Sequence, residues 1–147
     1  MAFMEVRPEV LVNTTTPFMQ AHPQVTPLSD GGWVVVWTSL DINLGAYVIQ
    51  QQRYTAIGER VGFDTDVGLS GNMALDGHAV TPLPDGGWLV TWQSNTSGDY
   101  DILQQRYDSA GVAMGAATTV NTYIADEQSQ PTVTVLTGGG WVVSWAS

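Results

Sequence analysis

Six tryptophans, two arginines and two groups of short oxygen-bearing side chains are the residues of this sequence best suited to chemistry. An indole face stacks on the apolar side of a sugar ring, and amide or guanidinium groups beside it hydrogen-bond the hydroxyls. Trp37 and Trp92 stand at strand ends and are better placed for this than Trp33 and Trp88. Gln51, Arg53, Gln104 and Arg106 are the polar partners within reach of the same strands. The bland reading is that all six tryptophans are core, since large aromatics bury well and these occupy repeat-equivalent positions. Arg53 and Arg106, half of the four arginines, share one repeat position. An arginine inside a strand either pairs with an acid of the neighbouring unit, such as Asp30 or Asp85, or lines a pocket.

Asp41-x-Asn43-x-Gly45 and Asn95-x-Ser97-Gly98-Asp99-x-Asp101 place oxygen ligands at alternate positions, the spacing a calcium loop uses. Asp41, Asn43, Asn95, Asp99 and Asp101 are therefore the candidate metal ligands, and calcium is the one cofactor they suggest. Neither loop runs on to the Glu that completes an EF-hand, and Asn/Asp/Gly clusters are also ordinary turn chemistry. For catalysis the sequence offers little. His22 aligns with Gly77 and Gln130, and His78 with Pro23 and Pro131, so neither histidine is a repeated feature. There is no supported Ser/His/Asp ordering and no phosphate-cradling Gly loop. The Asp64/Asp66 and Asp99/Asp101 pairs have the residue type a glycosidase needs, but such pairs on a strand are usually solvated. The expectation is a protein that is not an enzyme.

What must position these residues is a repeat. Asp30-Gly31-Gly32-Trp33-Val34-Val35-Val36-Trp37 returns as Asp85-Gly86-Gly87-Trp88-Leu89-Val90-Thr91-Trp92 and as Gly138-Gly139-Gly140-Trp141-Val142-Val143-Ser144-Trp145. Each phrase is a Gly-rich turn running into a strand whose two tryptophans lie four apart, on one side of a period-2 ladder. Apolar residues on both faces of that strand suit a sheet packed between neighbours. Strands are expected near 24–28, 33–39, 47–54 and 60–67, then near 79–83, 88–94, 100–107 and up to Val120, and a third copy stops after two strands. The organisation is one repeat domain: residues 1–12 as an N-terminal closing strand, 13–67 and 68–120 as full units, and 121–147 as half a unit. No segment shows a capped 3.6-residue apolar period.

Four short strands per unit joined by tight hairpins predict an all-β fold of β-propeller-like blades. A three-fold β-trefoil or β-prism is the alternative. Two and a half units leave an unpaired strand edge at Trp141 to Ala146, which invites pairing. The Phe3 to Val12 segment is the natural cover, so the expected partner is the protein itself: a homo-oligomer, most simply a two-fold dimer.

Composition narrows the partners further. Fourteen carboxylates against four Arg and no Lys give a net charge of −10, which repels phosphate backbones and anionic lipid heads. Neither nucleic acid nor a membrane is expected as a partner. With no Cys there is no disulfide, thiol nucleophile or Cys-based zinc site. Met1 to Val12 lacks the basic start and apolar core of a Sec-type signal, so either export takes another route or the natural start is elsewhere.

The string Val12-Asn13-Thr14-Thr15-Thr16, the Pro23-x-Val25 strand, the Asp-Gly-Gly-Trp phrase and Gln51-Gln52-Arg53-Tyr54 together resemble one tandem unit. It is the repeat of very large secreted bacterial proteins of the RTX-type adhesin and haemolysin-like class. The resemblance implies type I secretion, an extracellular place and calcium-rich surroundings, although the Gly-Gly-x-Gly-x-Asp nonapeptides that bind calcium in such proteins are missing. Composition and resemblance lead to one expected function. It is a non-enzymatic, self-assembling module of a secreted bacterial protein, with glycans as ligands in a lectin- or adhesin-like role. A purely structural spacer is the alternative, and a glycosidase the third.

Overall fold

The computed structural model describes residues 9–14, 18–72, 77–123 and 125–147, and the described residues form strands and turns only. The first unit is a four-stranded antiparallel meander of β1 (Gln20–Pro27), β2 (Trp33–Asp41), β3 (Ala46–Tyr54) and β4 (Arg60–Gly71). The second repeats it with β5 (His78–Pro82), β6 (Trp88–Ser94), β7 (Asp101–Tyr107) and β8 (Thr118–Thr119). A third unit contributes the hairpin β9 (Ser129–Val135) and β10 (Trp141–Ala146). The all-β class and the four-stranded antiparallel sheets read from the repeat are present.

The turns explain the repeated glycines. In each unit a Leu carbonyl closes the hairpin: Gly31 N donates to Leu28 O at 3.1 Å, Gly86 N to Leu83 O at 3.0 Å and Gly139 N to Leu136 O at 3.0 Å. Gly31, Gly86 and Gly139 all have φ between 83° and 88°, a region closed to most L-residues. The next glycine is needed for space. A Cβ on Gly32 would lie 2.3 Å from Tyr54 O, and one on Gly87 would lie 2.1 Å from Tyr107 O.

Three boundaries differ from those expected. β1 starts at Gln20, well before Gln24, because the ladder continues past a bulge between Ala21 and Gln24. His22 in that bulge has φ 54°, and the repeat-equivalent Gln130 has the same value. Each precedes a proline, which cannot donate to a ladder, so the chain steps out of register there. β4 runs on to Gly71. In the second unit the expected fourth strand shrinks to Thr118–Thr119 and one bridge between Tyr107 and Ala113. Gly111 and Gly115 take positive φ within that stretch, and it lacks an alternating apolar face.

The units stack face to face. Leu28, Val34, Val36 and Ile49 from one side of the first sheet form a single cluster with Trp88, Val90, Trp92 and Tyr107 of the second. β5 lies between β1 and β9, so the first strands of all three units are neighbours. On the other side of the first sheet, Trp33, Val35, Trp37 and Tyr54 make a smaller cluster on which Val12 packs. Residues 3–8 of the expected closing strand lie outside the described residues. Residues 9–13 take up no strand pairing and rest on the first unit, where Arg60 donates to Leu11 O and Tyr54 OH to Val12 O at 3.4 Å.

Candidate functional site

Every residue of the Gln-Gln-Arg-Tyr stretch has the same contact in both full units. The first Gln takes an indole from the following unit: Trp88 Nε1 donates to Gln51 Oε1 at 2.9 Å, and Trp141 Nε1 to Gln104 Oε1 at 3.0 Å. The second Gln clamps its own fourth strand. Gln52 Nε2 donates to Val61 O at 3.2 Å, and Gln105 Nε2 to Gly115 O at 3.1 Å. Arg53 pairs with Asp30 at 2.6 Å, and Arg106 pairs with Asp85. The Tyr stacks on the first Trp of its own unit, Tyr54 on Trp33 at 5.4 Å and Tyr107 on Trp88 at 5.3 Å between centroids.

The arginine partners differ from expectation in one respect. Each pair lies within a unit, tying the Asp-Gly-Gly turn to β3 or β7, and does not cross to a neighbour. The register explains this, since Arg53 sits opposite Val34 and Arg106 opposite Leu89, beside their own turns. Asp30 also accepts from Gly32 N at 2.9 Å, and Asp85 from Gly87 N at 3.1 Å. The Gly32 amide, with Arg53 beside it, holds the Asp30 carboxyl below the usual carboxylate range. The Arg106 hydrogen bond, then the Gly87 amide, does the same for Asp85.

These contacts frame two equivalent clefts, 53 residues apart. One, of about 80 Å³, is lined by Gln51, Arg53, Phe63, Thr65 and Trp88. The other, of about 180 Å³, is lined by Gln104, Arg106, Met114, Thr118 and Trp141. The second is the roomier: Trp141 is half-buried, whereas Trp88 is enclosed by the first sheet and its own Tyr107. Arg106 lies over the Trp141 ring, 5.9 Å from its centroid. The structure thus brings Gln51 to Arg53 and Gln104 to Arg106, as the sequence suggested, but the tryptophan that joins each pair is the first of the phrase.

Trp37 and Trp92 are elsewhere. Both are buried, and Trp92 Nε1 donates to Leu69 O of the first unit at 3.0 Å. A Cβ on Gly68 would come within 2.5 Å of that indole, so the close approach needs glycine. Trp37 is 3% exposed, and its buried Nε1 has no acceptor among the described residues. It borders a cavity of about 270 Å³, which Val10–Asn13, Gln20, Pro23 and Val35 also line. Sequence reasoning selected Trp37 and Trp92 and passed over Trp88 and Trp141 as the cleft residues. The constant spacing of 37 residues between Gln51 and Trp88, and between Gln104 and Trp141, was the available signal.

The candidate calcium ligands serve turns and loop contacts. Asp41 Oδ1 accepts from Asn43 N at 2.8 Å and Leu44 N at 3.2 Å, a side-chain-closed turn. Asp101 accepts from Ser97 Oγ at 2.8 Å and Asn121 Nδ2 at 2.7 Å, while Asn95 Nδ2 reaches Asn72 at 2.7 Å. Among the described residues no three His, Asp or Glu side chains converge on a point that could hold a metal. Asp64 accepts from Thr14 N at 3.1 Å and Asp66 from Gln50 at 3.0 Å. His78 is buried in the inter-unit core, with Thr38 Oγ1 3.5 Å from its Nδ1 and its carbonyl accepting from Gln24 at 2.6 Å. No helix among the described residues is long and apolar enough to cross a membrane.

No protein-family model matches the chain. No curated protein matches it either. Among solved structures it is similar to the endo-arabinase of Bacteroides thetaiotaomicron VPI-5482, with a TM-score of 0.58 and 17% identity. The likeness covers 90% of this chain and 52% of the other, so the chain spans about half the length of the structure it matches. At that identity the likeness is one of fold. It nevertheless overturns the expectation of a non-enzymatic, lectin- or adhesin-like module. That expectation rested on the repeat and on the lack of a recognisable catalytic ordering, and the endo-arabinase has a similar fold.

Proposed function

We propose that the protein belongs to a glycosidase-type β-propeller and supplies the blades against which a polysaccharide is held. The observation that carries this reading is the fold likeness to an endo-arabinase over 90% of the chain. The blade assignment is supported by consecutive antiparallel meanders whose first strands β1, β5 and β9 are neighbours. The Gln104–Arg106–Trp141 cleft adds an indole, an amide and a guanidinium around about 180 Å³, a combination suited to sugar hydroxyls.

Glycoside hydrolysis needs two carboxyl groups flanking the bond. β1, β5 and β9 carry no Asp or Glu, so in this reading the acids come from the loops at the other strand ends or from the rest of the propeller. The export and extracellular setting of the tandem repeats it resembles complete the proposal, since polysaccharides are met outside the cell.

The test is release of reducing ends from arabinan and a panel of plant and bacterial polysaccharides, with products identified by mass spectrometry. Retention on the same polysaccharides in affinity gels is measured alongside. Release of oligosaccharides, or retention abolished by W141A, is the expected result. Neither release nor retention on any polysaccharide overturns the reading.

A further inference from the structure

The contact between units is made twice within the chain, and its two halves recur in the first and third units without a neighbouring unit among the described residues. In the second unit Val80, Trp88, Val90, Trp92 and Tyr107 all pack on the first unit. Their equivalents in the first unit are Val25, Trp33, Val35, Trp37 and Tyr54; among the described residues no other unit packs on them, and Val35, Trp37 and Tyr54 are buried beneath the chain around Val12. Val25 is 66% exposed. Among the described residues Trp37 Nε1 has no acceptor like the Leu69 O that a neighbouring unit gives Trp92. At the opposite end, Leu28 and Val34 are buried where they receive the second unit. Their equivalents in the third unit, Leu136 and Val142, are 45% and 51% exposed.

We infer that the Val25–Trp33–Trp37 face receives the Leu136–Val142 face of a second copy of this chain, head to tail. The occupant is argued from two observations. The two faces are the halves of an interface already formed between the first and second units. One chain also spans 52% of the endo-arabinase structure, so two copies make up its extent and can close on themselves. The contact joins different patches, so a half-turn per copy closes a two-chain ring, and any other rotation gives a larger ring or an open chain. In the closed pair, β9–β10 of one copy and residues 9–14 of the other share one unit. Each chain carries a charge of −10, so association strengthens as salt screens the mutual repulsion. The inference does not depend on the glycosidase reading, because its readout is mass and not turnover.

The experiment is light scattering behind a sizing column, over a concentration series at about 0.15 M salt, on three proteins and a mixture. V25K alters the head and V142E the tail, both at exposed positions, and circular dichroism checks that each is folded. The native chain is expected at twice 15.8 kDa. Each variant alone is expected to dissociate at least ~tenfold more readily. The equimolar mixture is expected to recover the dimer, since it keeps one native contact and faces Lys with Glu at the other. A native chain that stays at 15.8 kDa at every concentration overturns the inference. So does a dimer that survives both substitutions, or a mixture that remains monomeric.

Discussion

Gln51→Met isolates one of the hydrogen bonds that join the two full units. Gln51 is 4% exposed and Trp88 1%, so the indole N–H that loses its acceptor has no route to water. A buried donor left unsatisfied costs about 1–3 kcal/mol. Methionine keeps the volume, which limits the packing change to less than about 1.5 kcal/mol. The second bond of Gln51, from Nε2 to Thr65 Oγ1 at 3.4 Å, ends on an exposed residue that water can serve. For a chain of this size each kcal/mol lowers the melting temperature by roughly 2–4 °C, so a fall of roughly 3–10 °C is expected.

The repeat supplies its own control. Gln104→Met breaks the equivalent bond to Trp141, which is half-buried, so solvent replaces the lost acceptor at a cost below about 1 kcal/mol. Both variants are followed by thermal and urea unfolding through tryptophan fluorescence, with Trp88→Phe added to Gln51→Met to close a double-mutant cycle. A coupling of about 0.5–3 kcal/mol is expected. Equal losses at Gln51 and Gln104, or no loss at Gln51, would falsify the claim that burial of this bond holds the units together.

Three further outcomes follow from the geometry. Gly87→Ala places a Cβ 2.1 Å from Tyr107 O and should cost roughly 2 kcal/mol or more, whereas Gly138→Ala meets nothing within 4 Å and should stay within about 0.5 kcal/mol in urea titrations. The carboxyls of Asp30 and Asp85 are held below their ordinary range, so their contribution to stability is complete above the unfolded carboxylate pKa. It is lost as pH falls through the lower folded values; melting curves from pH 6 downward should show this, with the acid-side slope reduced in Asp30→Asn. Burial pushes the Tyr107 phenol up to about 12, so its contribution is complete below the unfolded value near 10 and disappears as pH rises through 12. Tyr107→Phe should flatten that alkaline loss, and an unchanged profile would show that another group is responsible.

The legible part of the fold is the part with local causes. The period-2 apolar pattern and the Asp-Gly-Gly turns gave β2, β6 and β10 nearly residue for residue, because hairpin geometry depends on a few neighbouring dihedrals. The fourth strands were less legible. A strand at the sheet margin with few apolar anchors is held by its partner's register, and β8 retains only two residues of it. The arginines show the same division: an ion pair was foreseeable from residue types, but whether each arginine took the Asp of its own unit or of the neighbouring one depended on strand register.

By itself the sequence determined the strand class, the repeat length, the turn positions and the acidic, cysteine-free character of the surface, since all of these follow from residue type and spacing. Only the tertiary structure decided which tryptophan of each phrase crosses to another unit's Gln, which glutamine clamps the fourth strand, and which apolar face meets no other unit among the described residues. The reason is physical. Both faces of β2 are apolar, so hydrophobicity cannot say which face meets which, and that choice is made by the stacking of whole sheets.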